Sequence, residues 1–194
     1  MTCRFCPLDR HFGWTHSNLT MTAPTANTAR IRNQENKRLH VVLRDGSLLE
    51  GSIFIAEDMS LVAFLASRKG GFMNMVDARR PKLQEAPGHL IVQTDLVVLV
   101  SAPDANMQVV GQGGAGAGER EVEIYLIGGK GIRGVMYLAP MQRMSDYLHH
   151  CGKFAGIANA TFVADGAEVG DVAVNTSAIA MIREARPPEE APTG

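Results

Sequence analysis

One pattern of glycines and apolar residues occurs twice in this chain of 194 residues, at an offset of about 83 positions. Val41–Gly46 aligns with Ile124–Gly129, and Gly51–Ala56 aligns with Gly134–Ala139. After one gap of a single residue, the later matches are Phe72–Ala78 with Phe154–Ala160, Leu90–Thr94 with Val172–Thr176, and Val97–Val100 with Ile179–Ile182. A match in order over a whole unit predicts an internal duplication, so the fold has to be built from one small module used twice.

Each copy is predicted to be β-rich with one short helix. Apolar residues alternate with other residues along Leu49–Ile55, the period-2 pattern of a half-buried strand. Leu61, Phe64 and Leu65 have the i, i+3, i+4 spacing of one apolar helical face, with Asp58 as the expected N-cap. The pattern therefore predicts five strands per copy, with the helix between the second and the third.

The regions outside the copies lack this periodicity. The predicted organisation is a disordered leader at 1–37, a first β-barrel repeat at 38–104, a Gly-rich linker at 105–119, a second β-barrel repeat at 120–185 and a disordered tail at 186–194. Met21 is an alternative start of the natural chain. A phosphate-binding loop is the alternative for the glycines, but Glu119 and Arg120 stand where such a loop needs a Lys-Ser/Thr pair.

Charge and composition narrow the function classes. The chain has 19 basic and 20 acidic residues, so no overall field draws it to nucleic acid or to a membrane surface. Three cysteines, an odd number, do not indicate a disulfide framework. No apolar run reaches the roughly 18–20 residues of a membrane helix. We predict a cytoplasmic protein that makes no membrane contact.

The segment Val41–Ile53, read as Val-x-Leu-x-Asp-Gly … Gly-x-Ile, resembles the opening of the Sm-like RNA-chaperone family. Gln93–Val97 and Asn175–Ile179 occupy the place of that family's last turn. The resemblance implies two tandem small Sm/SH3-like barrels, with a pseudo-dimer as one way of packing them. Arg143–Leu148, followed by Phe154, also resembles a pattern of uncharacterised bacterial tandem-domain proteins.

Two features of this chain depart from the Sm-like family. That family carries its helix before the first strand, whereas here the helix is predicted between the second and third strands. The Arg-Gly turn and the RNA-stacking aromatic residues of the family are also missing. No RNA-binding residue is therefore carried over from it.

A basic loop region in the first copy is the candidate nucleic-acid site. It comprises Arg68, Lys69, Arg79, Arg80 and Lys82. Clustered cations of this kind contact phosphates. The alternative is a solvated loop, because no exposed aromatic residue is interleaved for base stacking.

Two groups of cysteine and histidine are candidate metal sites. In the first, only four residues separate Cys6 from His11, too few for a zinc finger. In the second, neighbouring side chains on a helix point about 100° apart, which favours an ordinary helix end. The two groups are Cys3, Cys6, His11 and His16, and His149, His150 and Cys151. We predict no metal and no cofactor.

The sequence contains no Ser-His-Asp order, paired carboxylates or nucleophile elbow, so no catalytic residue is assigned. We therefore predict a non-enzymatic tandem adaptor or scaffold that binds a protein partner or self-associates. The alternative is nucleic-acid binding through the basic loop of the first copy.

Overall fold

The computed structural model describes residues 33–68, 70–83, 86–104, 107–110 and 116–185. The first half contains β1 (Gln34–Leu43), β2 (Leu48–Ala56), α1 (Leu61–Ala66), β3 (Phe72–Arg79), β4 (Gly88–Gln93) and β5 (Val97–Ser101). The second half contains β6 (Gly118–Leu126), β7 (Gly131–Leu138), α2 (Met144–His150), β8 (Phe154–Phe162), β9 (Glu168–Asn175) and β10 (Ile179–Glu184). Single 3-10 turns lie at Pro81–Leu83, Thr94–Leu96 and Thr176–Ala178.

The strands of the described residues form one open antiparallel sheet in the order β10-β6-β7-β8-β9-β5-β1-β2-β3-β4. Along the sheet, the second half contributes β10, β6, β7, β8 and β9, and the first half contributes β5, β1, β2, β3 and β4. In each half, the strand that is last in the chain therefore precedes the other four in the sheet. The predicted mainly β fold with one short helix per half is confirmed. The strands form a single sheet because β5 of the first half pairs with β9 of the second.

Aligned positions in β3 and β8 carry the same backbone irregularity. Asp77 and Asn159 adopt φ of 50° and 51°, and each lies where its strand shifts register against the next strand. A bulge of this kind bends a strand and increases its twist. The preceding strand passes close by at Gly51 or Gly134, where an added Cβ would lie 2.9 Å from Ala78 Cα or 2.7 Å from the Ala158 carbonyl oxygen.

Part of the predicted linker packs on the first half. Met107 and Val109 are buried there. The Leu61 amide donates to the Gln108 carbonyl (2.9 Å), and the Val62 amide donates to the Val109 carbonyl (3.2 Å). Residues 107–110 therefore satisfy amide groups that the first turn of α1 leaves without intrahelical partners.

Two details at the start of the first half differ from expectation. The N-cap of α1 is Ser60, whose hydroxyl accepts from the Ala63 amide at 3.2 Å, so the expectation of Asp58 is wrong. β1 begins at Gln34, before the expected boundary at residue 38. In the described residues, neither helix has the length and apolarity needed to cross a bilayer.

Candidate functional site: the seam and the open edges of the sheet

The two halves meet where β5 pairs with β9, a contact that we call the seam. Its paired residues are Leu99 with Val174, Val100 with Ala173, and Ser101 with Val172. All six of these residues are buried. The seam is thus an internal part of the sheet.

Apolar side chains cross the seam in both directions. Phe154 and Ala173, from the second half, are 0% exposed within the apolar core of the first half. Val98 and Leu99, from the first half, are buried in the core of the second. Each half therefore completes the core of the other.

Polar contacts fix the seam at one end. The Asn175 side-chain amide donates to the carbonyls of Thr94 (3.2 Å) and Val97 (2.8 Å). The Lys153 ammonium donates to the Thr94 hydroxyl (2.7 Å) and pairs with Asp95 at 2.5 Å. The hydrogen bond from Lys153, and then its charge, hold the pKa of Asp95 below its ordinary value. These contacts set the relative register of the halves.

A cavity of about 270 Å³ opens beside the seam, between the β1–β2 turn and the β6–β7 turn. The Arg44 guanidinium at its rim donates to the Ser177 hydroxyl (2.7 Å) and to the Asp95 carbonyl (3.1 Å). The volume falls below the roughly 300–1,000 Å³ of small-molecule sites. We assign no ligand to it.

The sheet ends at β4 on one side and at β10 on the other, which we call the open edges. Within the described residues, β4 pairs with β3 alone and β10 pairs with β6 alone. Ile91 on β4 is 65% exposed, Phe72 on the adjacent β3 is 54% exposed, and Met181 on β10 is 51% exposed. Unpaired strand edges with apolar side chains are surfaces to which further strands add.

The predicted basic residues fall in two parts of the chain, before β3 and at its end. Arg68 lies just beyond α1, with its guanidinium 3.9 Å from the centre of the Phe64 ring. Lys69 lies outside the described residues. The Arg68 guanidinium therefore stacks on an aromatic ring of α1.

The remaining predicted cations follow β3. Arg79 forms an ion pair with Glu50 (3.0 Å), and both residues line a groove of about 350 Å³ together with Asp77. Arg80 and Lys82 are exposed at the end of the strand and in the next 3-10 turn. Because acidic groups share the groove, the arrangement is not a purely basic surface for phosphates.

The predicted histidine and cysteine group lies at the end of α2. The His149 ring is hydrogen-bonded to the Ser145 carbonyl (2.7 Å), and the His150 ring to the Asp146 carbonyl (2.6 Å). Burial raises the pKa of the Cys151 thiol, which disfavours the reactive thiolate. The described residues contain no cluster of three potential metal ligands. The other predicted group, Cys3, Cys6, His11 and His16, lies outside the described residues.

A buried acid that the sequence analysis did not single out anchors the β10 edge. Glu123 on β6 is 4% exposed and lies opposite Arg133 of β7 and Arg183 of β10. Arg133 Nε donates to its carboxylate at 3.1 Å, and Arg183 Nε donates at 2.8 Å. Hydrogen bonds from Arg133 and then Arg183 lower the pKa of Glu123. The carboxylate thus ties the last strand to the sheet.

We predict that Glu123→Gln removes an acid-sensitive part of the stability. Because the pKa of Glu123 in the folded protein is below its ordinary value of 4.5, this stabilisation is present above that value and is lost as the pH falls through the lowered pKa. The variant is expected to melt at a lower temperature than the wild type at about pH 7, with the difference shrinking towards about pH 2. Melting curves followed by circular dichroism check this.

The matched control for Glu123→Gln is Glu119→Gln, which changes an exposed acid on the same strand. It is expected to follow the wild-type pH profile. A constant gap between Glu123→Gln and the wild type across the whole acid range would contradict the assignment.

Comparison of the chain with protein-family models, with curated proteins and with solved structures gives no match.

Proposed function

We propose that this protein is a non-enzymatic scaffold module that binds protein at the two open edges, either a partner or another copy of itself. The observation that carries the proposal is the exposure of Ile91 and Met181 on the two strands that end the sheet. An edge strand offers unpaired N–H and C=O groups for β-augmentation, and apolar side chains add affinity to that pairing. The proposal assigns no catalytic step to the chain.

We further infer that the halves are two copies of one small Sm/SH3-like barrel packed as a pseudo-dimer. The same strand order in each half supports this inference, as does a helix between the second and third strands of each. Gly51 with Asp77, and Gly134 with Asn159, repeat one close approach and one bulge at aligned positions. Bulges that increase twist favour a strongly curved sheet in each half.

The test is the concentration dependence of the mass of the full chain, measured by sedimentation velocity. Association that weakens in an Ile91→Lys or a Met181→Lys variant would support the proposal, because a lysine on an edge strand opposes pairing. Where the chain stays monomeric, a partner would have to be captured by the wild type and not by these variants. A strict monomer with no edge-dependent partner would overturn the proposal. Salt-sensitive RNA binding in its place would support the nucleic-acid alternative.

A further inference from the structure

Three apolar residues exposed near the open edges align with three that are buried at the seam. The exposed residues are Phe72 (54%), Ile91 (65%) and Met181 (51%). Their aligned counterparts are Phe154 (0%), Ala173 (0%) and Leu99 (5%). The aligned positions are therefore buried at the seam and exposed near the open edges.

The neighbouring strands explain the difference. Phe154, Ala173 and Leu99 each pack in the core of the opposite half. Phe72 on β3 and Ile91 on β4 stand at the matching positions of the first half, where the described residues contain no opposite half. Burial of such side chains against another apolar surface favours association.

We propose that copies of this chain associate head to tail, with β10 of one copy pairing with β4 of the next in the register of the seam. This inference rests on the proposed function and names the partner as a second copy. Transferring the seam register predicts three pairs between copies, namely Met181 with Val92, Ile182 with Ile91, and Arg183 with Leu90.

The two edges are different surfaces, so the contact is heterologous. Each added copy pairs through one of its open edges and leaves its other edge free for a further copy. The assembly therefore either closes into a ring or continues as a filament. The ion pair between Lys153 and Asp95 has no counterpart there, because the aligned residues are Gly71 and Ser177. The contact between copies therefore lacks an ion pair that the seam has. Because the contact joins separate chains, its formation also depends on protein concentration.

The polarity of the contact can be tested with two complementary variants of the full chain. Ile91→Lys disables the β4 edge and leaves the β10 edge intact, while Met181→Lys does the reverse. Each variant alone is expected to associate at least about tenfold more weakly than the wild type. An equimolar mixture is expected to form a dimer, because the intact β10 edge of the first meets the intact β4 edge of the second.

The matched control is Phe54→Lys on β2, an equally exposed residue (52%) on an internal strand, which is expected to leave association unchanged. Thermal melting establishes that each variant is folded. Hydrogen exchange adds an independent readout, since the amides of Gly88–Gln93 and Ile179–Glu184 should gain protection in the wild-type assembly and lose it in the single variants.

A monomeric wild type, a single variant that associates as strongly as the wild type, or a mixture that forms no dimer would each overturn the head-to-tail contact. Edge-sensitive wild-type association without recovery in the mixture would remove this contact and leave the proposed function standing. A wild-type monomer without an edge-dependent partner would remove both.

Discussion

Phe154→Ala is expected to lower the free energy of unfolding by about 3–5 kcal/mol, the usual cost of removing a buried phenylalanine ring. Phe154 begins β8 in the second half, yet its side chain is 0% exposed in the core of the first. The truncation would leave a cavity beneath the seam, and both halves contribute to that contact. The loss should therefore appear as a shift of the whole unfolding transition.

Phe72→Ala provides the control at the aligned position. Its ring is 54% exposed, and its removal is expected to change the stability of the single chain by no more than about 0.5 kcal/mol. Denaturant unfolding followed by circular dichroism, at a concentration where the chain is monomeric, measures both variants. Equal costs would contradict the burial of the Phe154 ring in the core of the first half.

Gly134→Ala is expected to destabilise the fold by about 3 kcal/mol, because the added methyl group overpacks a closed site. A Cβ there would lie 2.6 Å from Ile157 Cγ2 and 2.7 Å from the Ala158 carbonyl oxygen. The side chain alone could rotate away, but the backbone oxygen belongs to the bulged part of β8. Relief of the clash therefore requires separation of two paired strands.

Gly118→Ala is the matched control on the neighbouring β6, since a Cβ at Gly118 would meet no atom within 4 Å. It is expected to be neutral within about 0.5 kcal/mol. Gly51→Ala should behave like Gly134→Ala, because its Cβ would lie 2.9 Å from Ala78 Cα. Melting temperatures of the three variants compare them directly. A tolerated alanine at position 134 would show that β7 and β8 are farther apart than described.

Local patterns predicted the elements of this fold well. The alternation in Leu49–Ile55 and the helical spacing of Leu61, Phe64 and Leu65 correspond to β2 and α1. These patterns arise because one side of a strand or helix is buried, which places apolar residues at regular spacings in the neighbouring sequence. The position of the helix cap was less predictable, because both Asp58 and Ser60 are residue types that cap helices.

The pairing between halves could not be predicted in the same way. Phe72 and Phe154 are the same residue at aligned positions, yet one is exposed and the other fully buried. Their difference depends on which strand lies beside them, and strand pairing across half the chain leaves no periodic signal in either strand.

The partners of Glu123 were not predictable from the turn alone. A two-residue turn at Gly128-Gly129 would place Glu123 opposite Gly134, whereas the register of β6 and β7 places it opposite Arg133. The second cation, Arg183, is brought to Glu123 by the pairing of β10 with β6. Together the two arginines make the acid stable in a buried position.

Because side chains cross the seam in both directions, neither half of the chain has a complete apolar core of its own. A fragment that ended after β5 would lack Phe154 and Ala173 from its interior and would expose Val98 and Leu99 to water. The complementary fragment would have the reverse defect. The two halves are therefore expected to unfold together in a single cooperative transition.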